Sequence, residues 1–377
     1  MREGVKRFLK RRVLPFFLIC FGALVLFVAV FWLKCAFLKP AVGPLPQTSL
    51  SEKNPAADVG EKNRRPVEDS YFSYPEWYIV WSYEERAQYL PKNLPSGFPY
   101  FASIGQYWKS YCFICGLTQS RHQFNFGDHL SSFVLGGSFA LEYTIRGAYE
   151  QTIGRLSEWT SLHELVEEDA YAARVAREYA DFVYIRPFYE FHFAHALKQL
   201  WKETSLWGKH PIRKWERKFI LSVDYGIEAL YAEAMQAASH LAYGAESDET
   251  YTWLESAPEN VFREFPRVKI IQETARQSYV VSVPRYQEFT ELAVAMAKRD
   301  VHFAQIAGND EIMLTVVAPK NWTFDLSASD ATLLFTEDIL TQPNLQRLAF
   351  ECPVRSLHSV LNHLAAAGPK IEHIYDY

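Results

Sequence analysis

Residues 13–33, VLPFFLICFGALVLFVAVFWL, form 21 consecutive uncharged and mostly apolar positions. At about 1.5 Å of rise per residue, a helix of that length crosses a hydrocarbon layer about 30 Å thick, and nothing else in the chain narrows the architecture as much. The rival reading is a cleaved signal peptide, whose apolar region is typically about 7 to 15 residues long and ends at a small-residue site. Here Lys34, Cys35, Phe37 and Leu38 follow instead, so the expectation is an uncleaved, single-pass signal anchor with the lipid bilayer as its partner. Pro15 is tolerable in a first turn, where the N–H groups are unpaired in any case. Arg2, Lys6, Arg7, Lys10, Arg11 and Arg12 precede the run against Glu3, whereas only Lys34 and Lys39 follow closely. The positive-inside rule then places the N-terminus in the cytoplasm and the body outside it.

That basic tail carries a net +5, so the rest of the chain carries −10 of the total −5. An acidic body without a basic stripe is a poor nucleic-acid surface, because such binding rests on neutralising phosphates. With 49% apolar residues the body has enough material for real cores, and aromatic residues at 16% suit apolar ligands or interfaces as well as an aromatic core. Five segments are expected: a basic tail at 1–12, the apolar run at 13–33, a linker at 34–67 rich in Pro, Ser, Asn and charge, an aromatic helical domain at 68–265 and an α/β domain at 266–377.

Within the helical domain, Pro75 suits a helix start and Pro91 a stop, with further helices expected near 100–116, 127–156 and 211–243. SLHE places Ser161 and Glu164 at capping-box spacing. The stretch 130–145, LSSFVLGGSFALEYTI, contains Glu142 and is too short to cross a bilayer, so it reads as a core helix.

Two histidines in FVYIRPFYEFHFAHALKQLW, residues 182–201, are the first metal candidates. A helix restarting at Pro187 puts Phe188, His192, His195 and Gln199 on one face, while Glu190 points about 160° away from His192. A metal at His192 and His195 therefore needs carboxylates from other helices, with Glu142 first and Glu150, Asp224 and Glu228 behind it. No Glu-x-x-His occurs in the chain, and Glu142 has Arg146 four residues on in the favourable order for an ion pair. Cys112 and Cys115 form a CxxC, a candidate redox pair, although it falls late in an aromatic helix, where buried structural thiols are common.

Beyond Pro266 short β-rich runs alternate with two matching helices. Phe289, Leu292, Ala293 and Met296 recur 68 positions later as Leu357, Val360, Leu361 and Leu364, and Pro284 and Pro353 precede them. Two strand–helix–strand repeats read as a ferredoxin-like sandwich of two βαβ units, with GND at 308–310 as a hairpin turn. Walker A, G-x-G-x-x-G, H-E-x-x-H, G-x-S-x-G and EF-hand signatures are absent from the sequence. The pattern thus favours a membrane-tethered binding or interaction protein with an extracytoplasmic aromatic-lined helical body, a docking or regulatory α/β domain, and a protein partner or apolar ligand. The alternatives are a metal- or haem-dependent enzyme using His192 and His195, and a thiol redox protein using Cys112 and Cys115.

Overall fold

The computed structural model describes residues 67–119, 125–242, 249–323 and 330–376. Seven helices come first: α1 (Val67–Tyr89), α2 (Tyr100–Gln119), α3 (Phe126–Tyr149), α4 (Arg155–Thr160), α5 (Glu167–Val183), α6 (Phe193–Glu203) and α7 (Pro211–Ala242). A five-residue π turn, Glu150–Gly154, joins α3 to α4. Pro75 lies inside α1 and does not begin it. Ser161 and Glu164 do not cap a helix; α5 begins after Val166, whose N–H donates to Asp169 Oδ2 at 3.2 Å.

The expectation of a single-pass membrane protein, with a cytoplasmic N-terminus and an extracytoplasmic body, is corrected. Among the described residues no helix is long and apolar enough to cross a membrane. The longest, α7, is interrupted by Arg213, Lys214, Arg217 and Lys218. The run at 13–33, on which that reading stood, lies outside the described residues together with the basic tail and nearly all of the linker.

The C-terminal region is an antiparallel sheet assembly in two sheets. The first unit contains β1 (Glu249–Ser256), the short α8 (Val261–Glu264), β2 (Lys269–Ala275), β3 (Ser278–Pro284), α9 (Tyr286–Ala297) and β4 (His302–Ile306), with strand order β2-β3-β1-β4. The second contains β5 (Glu311–Pro319), β6 (Thr332–Asp338), β7 (Leu345–Pro353), α10 (Leu357–Ala367) and β8 (Lys370–Ile374), in the corresponding order β6-β7-β5-β8. β3 and β4 each run antiparallel to β1, so they are parallel to one another and separated by it; β7, β5 and β8 repeat the arrangement. The two strand–helix–strand repeats are therefore split, and a leading strand fills each gap. This strand sends each repeat into its own four-stranded sheet, so the single sheet of a ferredoxin-like sandwich does not form. The tight turn near Gly308 is present and closed by an antiparallel bridge between Ile306 and Asn309, but it ends there, because β4 and β5 belong to different sheets.

One core lies between the units, where Phe289, Ala293 and Met296 of α9 meet Leu357, Val360 and Leu364 of α10. Alternation along β5 directs Ile312, Leu314 and Val316 into that core and Met313 to the opposite face, which packs on the aromatic helices. The second sheet is thus covered on both sides, by α9 and α10 on one and by Tyr71, Tyr74 and Trp81 of α1 on the other. Burial on both faces explains why β5 reads as a nearly unbroken apolar run.

Where α2 crosses α3 the contact depends on a glycine. Tyr107 Oη donates to Ser132 O at 2.6 Å, which fixes the ring, and a Cβ at Gly136 would run into that ring. Alanine normally gains up to about 1 kcal/mol over glycine inside a helix. Gly136→Ala is expected instead to lose about 1 to 3 kcal/mol through overpacking. Urea denaturation checks this, and a stabilised variant would show that the helices separate at little cost.

Candidate functional site

Helix α7 is built inside out. Arg213, Lys214, Arg217 and Lys218 are at most 4% exposed, whereas Trp215, Phe219 and Leu230 are 43%, 63% and 70% exposed. At about 100° per residue Ile212, Trp215, Phe219, Val223, Ile227 and Leu230 fall within one stripe about 120° wide. An ordinary amphipathic helix turns such a stripe inward; here it faces out. Leu130, Val134, Leu141 and Ile145 form a second exposed stripe on α3.

The inward cations of α7 are held by acids of α5 and of the π turn. Arg213 Nη2 lies 3.0 Å from Asp169 Oδ1, and Arg217 reaches Glu150 at 2.7 Å and Asp169 at 2.9 Å. The π turn contributes Glu150, and Gly154 leaves room for it: a Cβ there would stand 2.5 Å from Glu150 Oε2. Ions buried this deeply cost several kcal/mol each unless paired, so the sequence has invested in placing the charges inward. That investment leaves the apolar stripe of α7 without a core to enter.

The same logic joins α7 to α3. Arg146 pairs with Glu142 at 2.7 Å, Asp224 at 2.9 Å and Glu228 at 3.1 Å, while Tyr149 Oη donates to Glu216 at 3.0 Å. Later residues of α3 pair with earlier residues of α7, so the two helices run antiparallel. Burial works against the Arg146 charge, yet Asp224, Glu142 and Glu228 hold the guanidinium well above the usual arginine range. Burial, and then the neighbouring Glu142 charge, push Glu228 up. At the α6–α7 end Trp207 and Trp215 meet edge to face at 5.1 Å, and Trp215 Nε1 donates to Leu206 O at 2.6 Å, so a large exposed ring is fixed in orientation.

The residues that the sequence offered as sites are placed separately. A short turn, Phe188–Glu190, ends before α6, so His192 precedes the helix and does not share a helical face with His195. Both are exposed. His195 Nε2 lies 3.3 Å from Nε2 of its neighbour Gln199. Glu142 accepts from Tyr83 at 2.7 Å and serves the Arg146 pairing. Cys112 and Cys115 are unbridged in α2, and Cys115 Sγ lies 3.9 Å from His129 Nδ1. Among the described residues the group of three with metal-ligating spacing is a different one: Asp300, His302 and His358. These come from two repeat units, and no local spacing in the sequence announces them.

No protein-family model, no curated protein and no solved structure matches this chain.

Proposed function

We propose that this chain is a binding protein that receives an apolar surface of a protein partner on the face formed by α3 and α7, with the two-sheet region as a docking or regulatory platform. The observation that supports the reading is the inverted burial of α7, with four cations inside and six large apolar side chains outside. Contiguous exposed apolar surface is costly in water and marks interaction sites, and oriented tryptophans are frequent anchors of such interfaces.

Photo-crosslinking in the full chain tests it. A photoreactive residue at Phe219 or Leu230 is expected to give a discrete protein adduct, and one at the exposed Arg174 of α5 is not. Combining Val223→Asp with Ile227→Asp should reduce the adduct more than about tenfold, since each buried unpaired charge costs well over 1.4 kcal/mol. No adduct, equal adducts from Arg174, or labelling of lipid alone would overturn the proposal.

A further inference from the structure

Asp300 ends the turn after α9 in a left-handed conformation, φ 60°, which aspartate tolerates better than most residues. That turn brings its carboxylate over two imidazoles. His302 opens β4 of the first unit and His358 lies in the first turn of α10 of the second. Asp300 Oδ1 is 3.2 Å from His302 Nε2 and 3.5 Å from His358 Nε2, and the two rings face each other with centroids 4.1 Å apart. The three ligand atoms all lie within 4.8 Å of one another.

Ligands about 2.0 to 2.1 Å from a tetrahedral zinc stand about 3.3 Å apart, the spacing that the two carboxylate–imidazole distances bracket. The chemistry also fits. Two imidazole nitrogens and one carboxylate suit a borderline divalent ion and leave a fourth position for water. Asn362 Nδ2 lies 3.1 Å from His358 Nε2 and 3.2 Å from Ala297 O. His358 Nε2 has a single in-plane lone pair, so a bound ion takes the place of the Asn362 amide there while Asn362 keeps its hydrogen bond to Ala297 O. Arg299, beside Asp300 in the turn, is engaged by Glu264 at 2.8 Å.

We propose that Asp300, His302 and His358 form a site for a divalent transition-metal ion, zinc being the best match, which clips the first repeat unit to the second. Its ligands come from the α9–β4 turn and from α10, so occupancy couples the position of the second unit's helix to the first unit's edge strand. The proposal is independent of the apolar face on α3 and α7.

The test uses the full chain stripped with a chelator, then titrated with Zn2+ against a competing indicator and with Co2+ while the visible spectrum is recorded. One equivalent of tight zinc and the absorption of tetrahedral cobalt are expected. Asp300→Asn and His302→Gln should each weaken zinc binding more than about tenfold while metal-free denaturation midpoints change little, because Asp300 is exposed and His302 is partly exposed. His195→Gln should leave zinc binding unaltered. Uptake that survives Asp300→Asn and His302→Gln, or that disappears with His195→Gln, would overturn the assignment, as would absence of stoichiometric binding by the unaltered chain.

Discussion

Arg347→Met is expected to lower folding stability by about 3 to 5 kcal/mol at neutral pH, the range for removing one partner of a buried ion pair. Arg347 is 2% exposed and sits in the layer between α1 and the second sheet. Its guanidinium lies 4.0 Å from the centre of the Trp81 ring, and it bonds Glu372 through Nε at 2.5 Å and Nη2 at 3.0 Å. Glu85 and Glu337 stand 3.7 Å and 4.0 Å away. Methionine keeps much of the volume but leaves three carboxylates facing one another. Those acids can shed their charge by taking up protons, so the deficit should be smaller at about pH 5.5 than at about pH 8. Urea denaturation at both pH values measures this. Adding Glu372→Gln to Arg347→Met should recover part of the loss, because it removes the acid with the closest contact to the missing cation. A deficit below about 1 kcal/mol at both pH values would mean that the layer is wetter than its burial implies.

That layer was invisible in the sequence, for a physical reason. Apolar periodicity identifies residues that share a face of α1, and Tyr71, Tyr74, Trp77 and Trp81 do share one. It does not reveal that the sheet face opposite carries Arg347, Glu337 and Glu351, because charged residues inside a strand look like solvent-facing ones until their partners are known. Helix α7 shows the same ambiguity in reverse: the pattern marks two faces, and only the acids of α5 and the π turn decide that the charged one is buried. The repeat was legible, because its stripes on α9 and α10 are the faces that enter the shared core. β1 was not, since Thr250 and Thr252 occupy its buried positions and weaken the apolar alternation. For His192 the proline at Pro187 correctly signalled a break, but a second break before Phe193 removed the residue from the helix. The grouping of Asp300 with His302 and His358 depends on how one unit packs on the other, which residue spacing does not encode.

The second large effect is on pH dependence. Stability is expected to fall as pH rises from about 5 to about 8, opposite to the course set by salt-bridged surface carboxylates. Glu351 is fully buried and accepts a hydrogen bond from Tyr71, and burial pushes its carboxyl from 4.5 up to about 8. Burial likewise raises Glu85, to about 7, although Arg347 opposes the shift. In the unfolded chain both acids titrate near their ordinary value, so between the two pKa values the folded state holds more protons. The stabilisation is fully present below the unfolded pKa and is lost as pH climbs through the folded one; for Glu351 it is on the order of 4 kcal/mol. Below about pH 4.5 the trend reverses, because exposed acids such as Glu164 and Glu249, held low by hydrogen bonds from Lys209 and Lys269, contribute stability that is lost on protonation. Glu351→Gln separates the contributions, since the amide oxygen still accepts from Tyr71 but cannot ionise. Its denaturation midpoint should vary less between about pH 5 and 8 than that of the unaltered chain, with Glu85 and Glu228 contributing to the remaining slope. A variant as steep as the parent would assign the slope to other groups, and a parent whose stability is flat or rising over that interval would show that Glu351 is not held protonated in the folded chain.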